Sequence, residues 1–174
     1  MSKQLSFDDA RPNKAARLAE IKQNRTPIRL LLDSVYDQRN IGGLFRTADA
    51  SRLAEIVLYN CPFDSKNRKF KKTARSTFQY VPHRILADEN DLHIYAQEHQ
   101  IVCLEYTSKS TILSETSLSL PLTLVLGNEQ RGVSQTLLDL SAQSVHLPMM
   151  GMQSSLNVCT AGSIAIYELL RRIS

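Results

Sequence analysis

Three short segments of the sequence combine glycine with polar side chains. They run from Asn40 to Ala48, from Leu126 to Gly132 and from Leu147 to Val158. Glycine lets a backbone approach a ligand closely, and small polar residues at a helix start leave outward-facing N–H groups that can hold an anion or a polar ligand. Each segment alone is equally compatible with a turn or a packing contact. The choice between a ligand site and a structural role therefore depends on the order of the three segments and on the elements around them.

Each segment has its own chemical character. Gly42 and Gly43 predict a close backbone approach at a helix start, with Arg46 one turn beyond Gly42 and on its face. In the second segment, two glycines bracket a tight polar loop in which Glu129 is the only acid. In the third, a Pro-Met-Gly loop leads into Ser-Leu-Asn-Val, which opens the last apolar helical stretch.

The elements around these segments alternate between two hydrophobic periods. Helical spacing predicts helices over residues 13–24, 42–53, 88–99, 134–142 and 156–172. Short apolar runs predict strands over 28–35, 55–59, 101–105, 122–126 and 145–147. This alternation predicts an α/β fold, a mostly parallel sheet with helices on both faces. Ligands of such sheets bind beyond the carboxyl ends of the strands, which is where all three segments fall.

The charge is unevenly distributed. Residues 1–29 hold +4 and residues 66–75 hold +6, although the net charge of all 174 residues is only +4. Two basic segments on an otherwise acidic body are typical of a phosphate-binding surface, and Phe70, Phe78 and Tyr80 could stack on bases. The alternative is a solvated loop with core aromatics. We expect contacts to nucleic-acid phosphates from Arg11, Lys14, Arg17, Lys69, Lys71, Lys72 and Arg75.

Several classes of protein fit the sequence poorly. No apolar run is long enough for a membrane span, and the N-terminus is charged from Lys3 onward, unlike a signal peptide. The three cysteines are far apart and form no C-x-x-C pair, and the four histidines are scattered, so we predict no disulfide, no metal site and a cytoplasmic location. A nucleotide-dependent metabolic enzyme is disfavoured because neither G-x-G-x-x-G nor a P-loop is present.

Taken in order, the three segments resemble the motifs of the SpoU (TrmH-type) RNA ribose 2′-O-methyltransferases of the SPOUT superfamily, over residues 28–172. The motif N-x-G-x-x-x-R-T-A is matched by Asn40, Gly42, Arg46, Thr47 and Ala48. The motif L-G-N/S-E-x-x-G is matched by Leu126, Gly127, Asn128, Glu129 and Gly132. The motif P-M-x-G-x-x-x-S-L-N-V is matched by Pro148, Met149, Gly151, Ser155, Leu156, Asn157 and Val158.

The resemblance implies an S-adenosylmethionine-dependent enzyme with a C-terminal trefoil knot and a homodimeric assembly whose active site draws on both subunits. The cofactor of the family lies in the knot, held largely by backbone groups. By position, the cofactor-binding residues are Leu126, Gly127, Asn128, Leu147, Met149, Ser155 and Leu156. We expect two parts of the chain, a basic helical segment over residues 1–27 and the methyltransferase domain over 28–174.

The resemblance also assigns the catalytic set. Arg46 leads it; because a guanidinium stays protonated, its expected role is to bind an RNA phosphate and stabilise the ribose alkoxide. Four further residues are expected to position Arg46, the ribose and the cofactor: Asn40, Glu129, Ser155 and Asn157. Two departures from the family pattern leave specificity open. Arg52 stands where a glycine is common, and residues 76–80 replace a Gly-Ala pair.

The expected substrate is RNA, with transfer RNA favoured over ribosomal RNA. The remaining alternative is a non-catalytic RNA-binding module of the same fold, which the presence of Arg46, Glu129 and Asn157 disfavours.

Overall fold

The computed structural model describes residues 13–173. Within that range the chain forms a seven-stranded sheet in which every pairing is parallel. The strands are β1 (Thr26–Asp33), β2 (Leu53–Tyr59), β3 (His83–Leu86), β4 (Ile101–Leu104), β5 (Thr111–Ile112), β6 (Leu122–Leu126) and β7 (Gln143–His146). Their order across the sheet is β3-β2-β1-β6-β4-β7-β5.

The described residues also form six α-helices, of which the first precedes β1 and the last follows β7. They are α1 (Lys14–Gln23), α2 (Gln38–Ala50), α3 (Arg68–Ala74), α4 (Glu89–Glu98), α5 (Gln135–Leu140) and α6 (Val158–Leu170). Two short 3₁₀ helices lie at Thr77–Gln79 and Leu113–Glu115. The predicted α/β class with a parallel sheet and helices on both faces is confirmed.

The two faces of the sheet are covered unequally. On one face, α2, α3 and α6 bury an apolar layer around Phe45 and Phe70. On the other face, α4 and α5 cover a smaller layer around Leu92 and Leu137. The central strands β1 and β6 are apolar on both sides because helices pack against each of their faces.

Helix α2 begins four residues earlier than predicted. Asp37 is its N-cap, with a side-chain oxygen that accepts a hydrogen bond from Arg39 N at 2.8 Å. Gly42 and Gly43 therefore lie inside the helix, and the prediction that they form its start is wrong. A Cβ on Gly42 would lie 2.9 Å from Ala74 N and from Phe70 O, so this glycine lets α3 pack directly on α2.

The remaining predicted elements are found within a few residues of their expected bounds, and three further elements are additional. Helix α3 has five basic residues within or beside it and no apolar period, while β3 and β5 are short edge strands. Arg52, which replaces the common glycine of the family, adopts a left-handed backbone with φ 53°. Its guanidinium pairs with Glu20 of α1 at 2.8 Å.

Two sequence predictions about the whole chain stay predictions. They are the trefoil knot and the division after residue 27, although β1 already begins at Thr26. Among residues 13–173, no helix is both long and apolar enough to cross a membrane.

Candidate active site

A chain of hydrogen bonds joins the three polar segments at the carboxyl edge of the sheet. Asn157 donates through Nδ2 to Asn40 Oδ1 at 3.0 Å, and Asn40 donates through Nδ2 to Glu129 Oε1 at 2.9 Å. Three of the five predicted catalytic residues are thus in direct contact, although they lie 117 and 89 residues apart in the sequence. The parallel sheet explains this, because β1, β6 and β7 all end at this edge.

The Glu129 carboxylate is held by backbone as well as by Asn40. It accepts from Asp37 N at 3.3 Å and from Tyr36 N at 3.4 Å, both just before helix α2. Its own loop is closed by two backbone bonds between Asn128 and Gly132, at 2.9 and 3.0 Å. Gly132 has φ +72°, a conformation that side chains rarely adopt, so a glycine is required where the loop closes.

Asn157 has two structural tasks. It is the N-cap of α6, where its Oδ1 accepts from Cys159 N at 3.0 Å and from Thr160 N at 3.3 Å. Its Nδ2 remains for Asn40. An amide is the side chain that offers both an acceptor and a donor here, whereas an aspartate would lose the donor.

Arg46 is separate from this hydrogen-bonded chain. It is exposed on α2, and no hydrogen bond or ion pair joins its guanidinium to any residue of the range 13–173. Helical geometry places it between the directions of Gly42 and Gly43, and these two glycines face Thr73 of α3 and Cys159 of α6. Its five N–H donors are therefore available to a ligand that enters between those helices.

A cavity of about 420 Å³ opens beside Glu129 and Asn157, within the size range of small-molecule sites. All seven predicted cofactor-binding residues line it: Leu126, Gly127, Asn128, Leu147, Met149, Ser155 and Leu156. Ser155 thus lies at the cavity, and no hydrogen bond joins it to another described residue. The lining combines apolar side chains with exposed backbone, as a nucleoside carrying a charged tail requires, so it fits S-adenosylmethionine.

Some cavity residues escaped the sequence prediction. Glu105 and Tyr106 directly follow β4, and His146 is the last residue of β7. The signal that could have identified them is their position, since both strands end at the same edge as the three motifs. The Glu105 carboxylate accepts from Val133 N and from Tyr106 N, each at 2.9 Å.

The basic residues form two surfaces that meet at Tyr80. Lys14 of α1 lies over the Tyr80 ring at 5.7 Å, and Arg25 donates to Tyr80 O at 2.7 Å. Tyr80 follows α3, whose exposed cations are continuous with Arg75 at its C-cap. Four predicted RNA contacts lie exposed on or beside α3, namely Lys69, Lys71, Lys72 and Arg75. Lys14 and Arg17 lie on α1, and Arg17 pairs with Glu20 at 3.4 Å, whereas Arg11 is outside the described residues.

Two of the three aromatic residues proposed to stack on bases belong to the core. Phe70 is 1% exposed and packs edge-on against Phe45 at 5.4 Å between ring centroids. Phe78 packs against both rings and against His83. The stacking prediction for Phe70 and Phe78 is wrong, because these rings pack against Phe45 of α2 and hold α3 and the turn after it on that helix.

The three thiols are free and separate. Burial raises the pKa of Cys61 and of Cys103 to about 12, so neither provides a thiolate nucleophile near neutral pH. No group of three or more potential metal ligands occurs among residues 13–173.

Comparison with known proteins agrees with this geometry. The sequence profile of the SpoU rRNA Methylase family matches residues 27–167. The tRNA (guanosine(18)-2′-O)-methyltransferase of Escherichia coli is 28% identical over 165 residues, 92% of this chain and 71% of that enzyme. The 23S rRNA (guanosine-2′-O-)-methyltransferase RlmB of Pasteurella multocida is 30% identical over 160 residues, 90% of this chain and 65% of that enzyme.

A solved structure shares the fold. The SpoU methyltransferase AviRb of Streptomyces viridochromogenes, in complex with AdoMet, superimposes with a TM-score of 0.76 at 23% identity, over 84% of this chain. This chain spans 58% of the length of that protein. Since the family profile covers most of the sequence and includes all three motifs, the chain belongs to the SpoU methylase family.

Proposed function

We propose that this protein transfers the methyl group of S-adenosylmethionine to a ribose 2′-hydroxyl of RNA, and that its substrate is transfer RNA. The observation that carries the proposal is the hydrogen-bonded chain from Asn157 through Asn40 to Glu129, at the mouth of a cavity that fits the cofactor. Arg46, about 1.7 helical turns beyond Asn40, adds a cation that has no partner within residues 13–173.

Each polar residue has a defined task in this reaction. S-adenosylmethionine supplies an electrophilic methyl group on a sulfonium centre. The 2′-hydroxyl is a weak nucleophile: its oxygen bonds to that methyl carbon as the carbon–sulfur bond breaks and S-adenosyl-L-homocysteine leaves. Its proton passes to solvent water, and negative charge develops on the oxygen as the proton leaves. Arg46 cannot accept that proton because its guanidinium is already charged; it donates hydrogen bonds to the alkoxide and to a neighbouring phosphate. Asn40, held between Asn157 and Glu129, orients the ribose.

The two basic surfaces supply the affinity for RNA. Exposed cations of α3 and α1 neutralise phosphates, and Tyr80 with Lys14 joins the two surfaces. Transfer RNA is favoured because the E. coli relative that matches 92% of this chain is named for it. Ribosomal RNA is the second candidate, since the Pasteurella relative is named for 23S rRNA.

The working unit of this enzyme is a homodimer. Helix α6 carries an exposed stripe at helical spacing, Thr160, Ile164, Tyr167 and Arg171, in which Ile164 is 46% and Tyr167 is 54% exposed. Leu156, next to the cavity, is 41% exposed. An apolar face so close to the site suits a subunit contact that encloses the substrate. The free thiols suit a cytoplasmic location.

The deciding experiment is methyl transfer from labelled S-adenosylmethionine into unmodified transfer RNA and ribosomal RNA pools, followed by nucleoside analysis. We expect a 2′-O-methylnucleoside in the transfer RNA pool, formed at least about 100-fold more slowly with Arg46→Ala. A base-methylated product would overturn the reaction, and label confined to ribosomal RNA would overturn the substrate. Light scattering of the wild-type protein and of Tyr167→Glu tests the dimer, which the substitution should dissociate.

A further inference from the structure

The hydrogen-bond pattern around His146 assigns its tautomer. Ser110 donates its single hydroxyl proton to Thr107 O at 2.9 Å and accepts from Thr107 N at 3.0 Å. Ser110 Oγ also lies 2.9 Å from His146 Nδ1. A Ser110 hydroxyl that donates to Thr107 O leaves Nδ1 as the donor in this contact. The neutral imidazole therefore carries its proton on Nδ1 and presents Nε2 as an acceptor.

His146 lines the cavity, and its Nε2 atom is not buried. Within residues 13–173, Nε2 has no hydrogen-bond partner. The ring itself is held in place on its other sides, by Ser110 and by the edge-on ring of Tyr106 at 4.9 Å between centroids. A fixed, accessible acceptor is thus available to a ligand.

The sheet order fixes where this acceptor lies relative to the reacting groups. Asn40 and Glu129 follow β1 and β6, whereas His146 ends β7. In the order β1-β6-β4-β7, β7 is three strand spacings from β1 and two from β6, or about 14 Å and about 10 Å. The methyl group must face Asn40 and Glu129. His146 therefore meets a part of the cofactor remote from the sulfonium, either the adenine or the amino-acid carboxylate.

The chemistry of this end selects the adenine. Its walls are Leu104, Leu147 and the Tyr106 ring, which suit a flat heteroaromatic group. Placed at this end, the amino-acid carboxylate of the cofactor would lie against the Nε2 lone pair with no cation beside it. Among the described residues that line the cavity, the one with a permanent positive charge is Arg131, on the loop after β6. The adenine amino group, by contrast, is a donor that matches Nε2.

We propose that His146 determines the purine specificity of the cofactor site by accepting a hydrogen bond from the adenine 6-amino group, with Ser110 fixing its tautomer and Tyr106 closing the pocket. This inference rests on the proposed function, because it takes S-adenosylmethionine as the ligand. A guanine or hypoxanthine ring would present its 6-carbonyl oxygen to the same lone pair and be repelled.

The test is calorimetric binding to the full chain without RNA, using S-adenosyl-L-homocysteine and S-inosyl-L-homocysteine, which carries a carbonyl in place of the amino group. We expect the wild-type protein to bind the adenosyl compound at least about tenfold more tightly, the value of one hydrogen bond. His146→Phe keeps an aromatic ring beside Tyr106. It should weaken adenosyl binding about tenfold and bring the two affinities within about twofold.

Two further variants keep the test decisive. His93→Phe, at an exposed position of α4 outside the cavity lining, should leave both affinities unchanged. Ser110→Ala keeps the imidazole but releases its tautomer, and it should weaken adenosyl binding about threefold, even if His146→Phe does not fold. An unchanged preference in His146→Phe, or in Ser110→Ala an unchanged adenosyl affinity, overturns the inference. Failure of the wild-type protein to bind either compound overturns the cofactor assignment itself.

Discussion

At the amino-terminal edge of the sheet, the buried Glu55 carboxylate accepts from Arg84 Nε at 2.7 Å and lies 3.4 Å from Arg29 Nε. On helix α2, which begins at the carboxyl edge, Arg46 has no such partner within residues 13–173. At the amino-terminal edge Tyr95 is also hydrogen-bonded, since its hydroxyl oxygen lies 3.0 Å from Thr123 Oγ1. Burial raises the pKa of Tyr95 to about 12, so it serves there as a neutral hydrogen-bonding group.

The difference separates two uses of polar groups. At the amino edge the polar groups bind one another within the fold, so removing one should lower stability without changing catalysis. At the carboxyl edge, Asn40, Glu129 and Asn157 hold one another and Ser155 lines the cavity, while Arg46 on α2 has no partner within residues 13–173. Unused polar groups next to a cavity identify the site more directly than charge alone.

The largest effect is expected at Arg46. Arg46→Ala should lower kcat by about 10²–10³-fold, because it removes a donor to the developing alkoxide. The melting temperature and the S-adenosylmethionine affinity should stay unchanged, since Arg46 does not line the cavity. Methyl-transfer kinetics, thermal denaturation and calorimetry measure the three quantities. A loss of thermal stability in Arg46→Ala would contradict the difference between the two edges of the sheet.

Glu55→Ala should give the opposite result. We expect the free energy of unfolding to fall by about 2–3 kcal/mol, because two arginines lose their common partner in a largely buried place. Arg84 is half exposed, which keeps the loss below the full value for a buried pair. Urea denaturation measures it, with Glu115→Ala, at an exposed position after β5, as the matched control. A changed kcat of the folded variant would contradict the comparison.

A smaller loss of stability is expected where the catalytic helix itself is packed. Gly42→Ala should cost about 1–2 kcal/mol, because its Cβ would press on the backbone of α3. The new Cβ of Gly43→Ala would contact mainly the Cys159 side chain. A second substitution, Cys159→Ala, should therefore restore the lost stability. Denaturant melts of these variants separate the two helix contacts. Equal costs at both glycines, with no relief, would contradict this packing.

The smallest effect is expected on the basic surface. Lys71→Ala should reduce the slope of log affinity against log salt by about one and weaken RNA binding evenly across sequences. Filter binding at several salt concentrations measures the slope. Lys109→Ala, an exposed lysine in the loop after β4, is the control and should leave the slope unaltered. An equal change of this slope in Lys71→Ala and Lys109→Ala would show that α3 does not belong to the RNA-binding surface.

Much of the fold was predictable because β1, β2, β4 and β6 are apolar runs between turn residues. The order of motifs predicted that Asn40, Glu129 and Asn157 belong to one site. Helix α3 was not predictable, because its buried residues, Phe70 and Ala74, lie among cations without a clear period. The same lack of period made Phe70 look available for stacking.

The adenine end of the cavity was not predictable for a different reason. Tyr106 and His146 carry no motif, and their contact depends on the pairing of β4 with β7. Strand neighbours in a parallel sheet follow from the crossover path of the chain, which local sequence does not encode. The tautomer of His146 depends further on Ser110, 36 residues away.

The bonds from Asn157 to Asn40 and from Asn40 to Glu129 have a consequence for the order in which the molecule matures. They close loops of 117 and 89 residues, the kind of distant contact that slows folding. A nascent chain can assemble β1 and β2 early, since these neighbours are short-range. The substrate site, however, requires Asn157, which is synthesised 117 residues after Asn40. Catalytic competence therefore arrives only when α6 docks, and a nascent chain that has not yet reached α6 cannot methylate RNA.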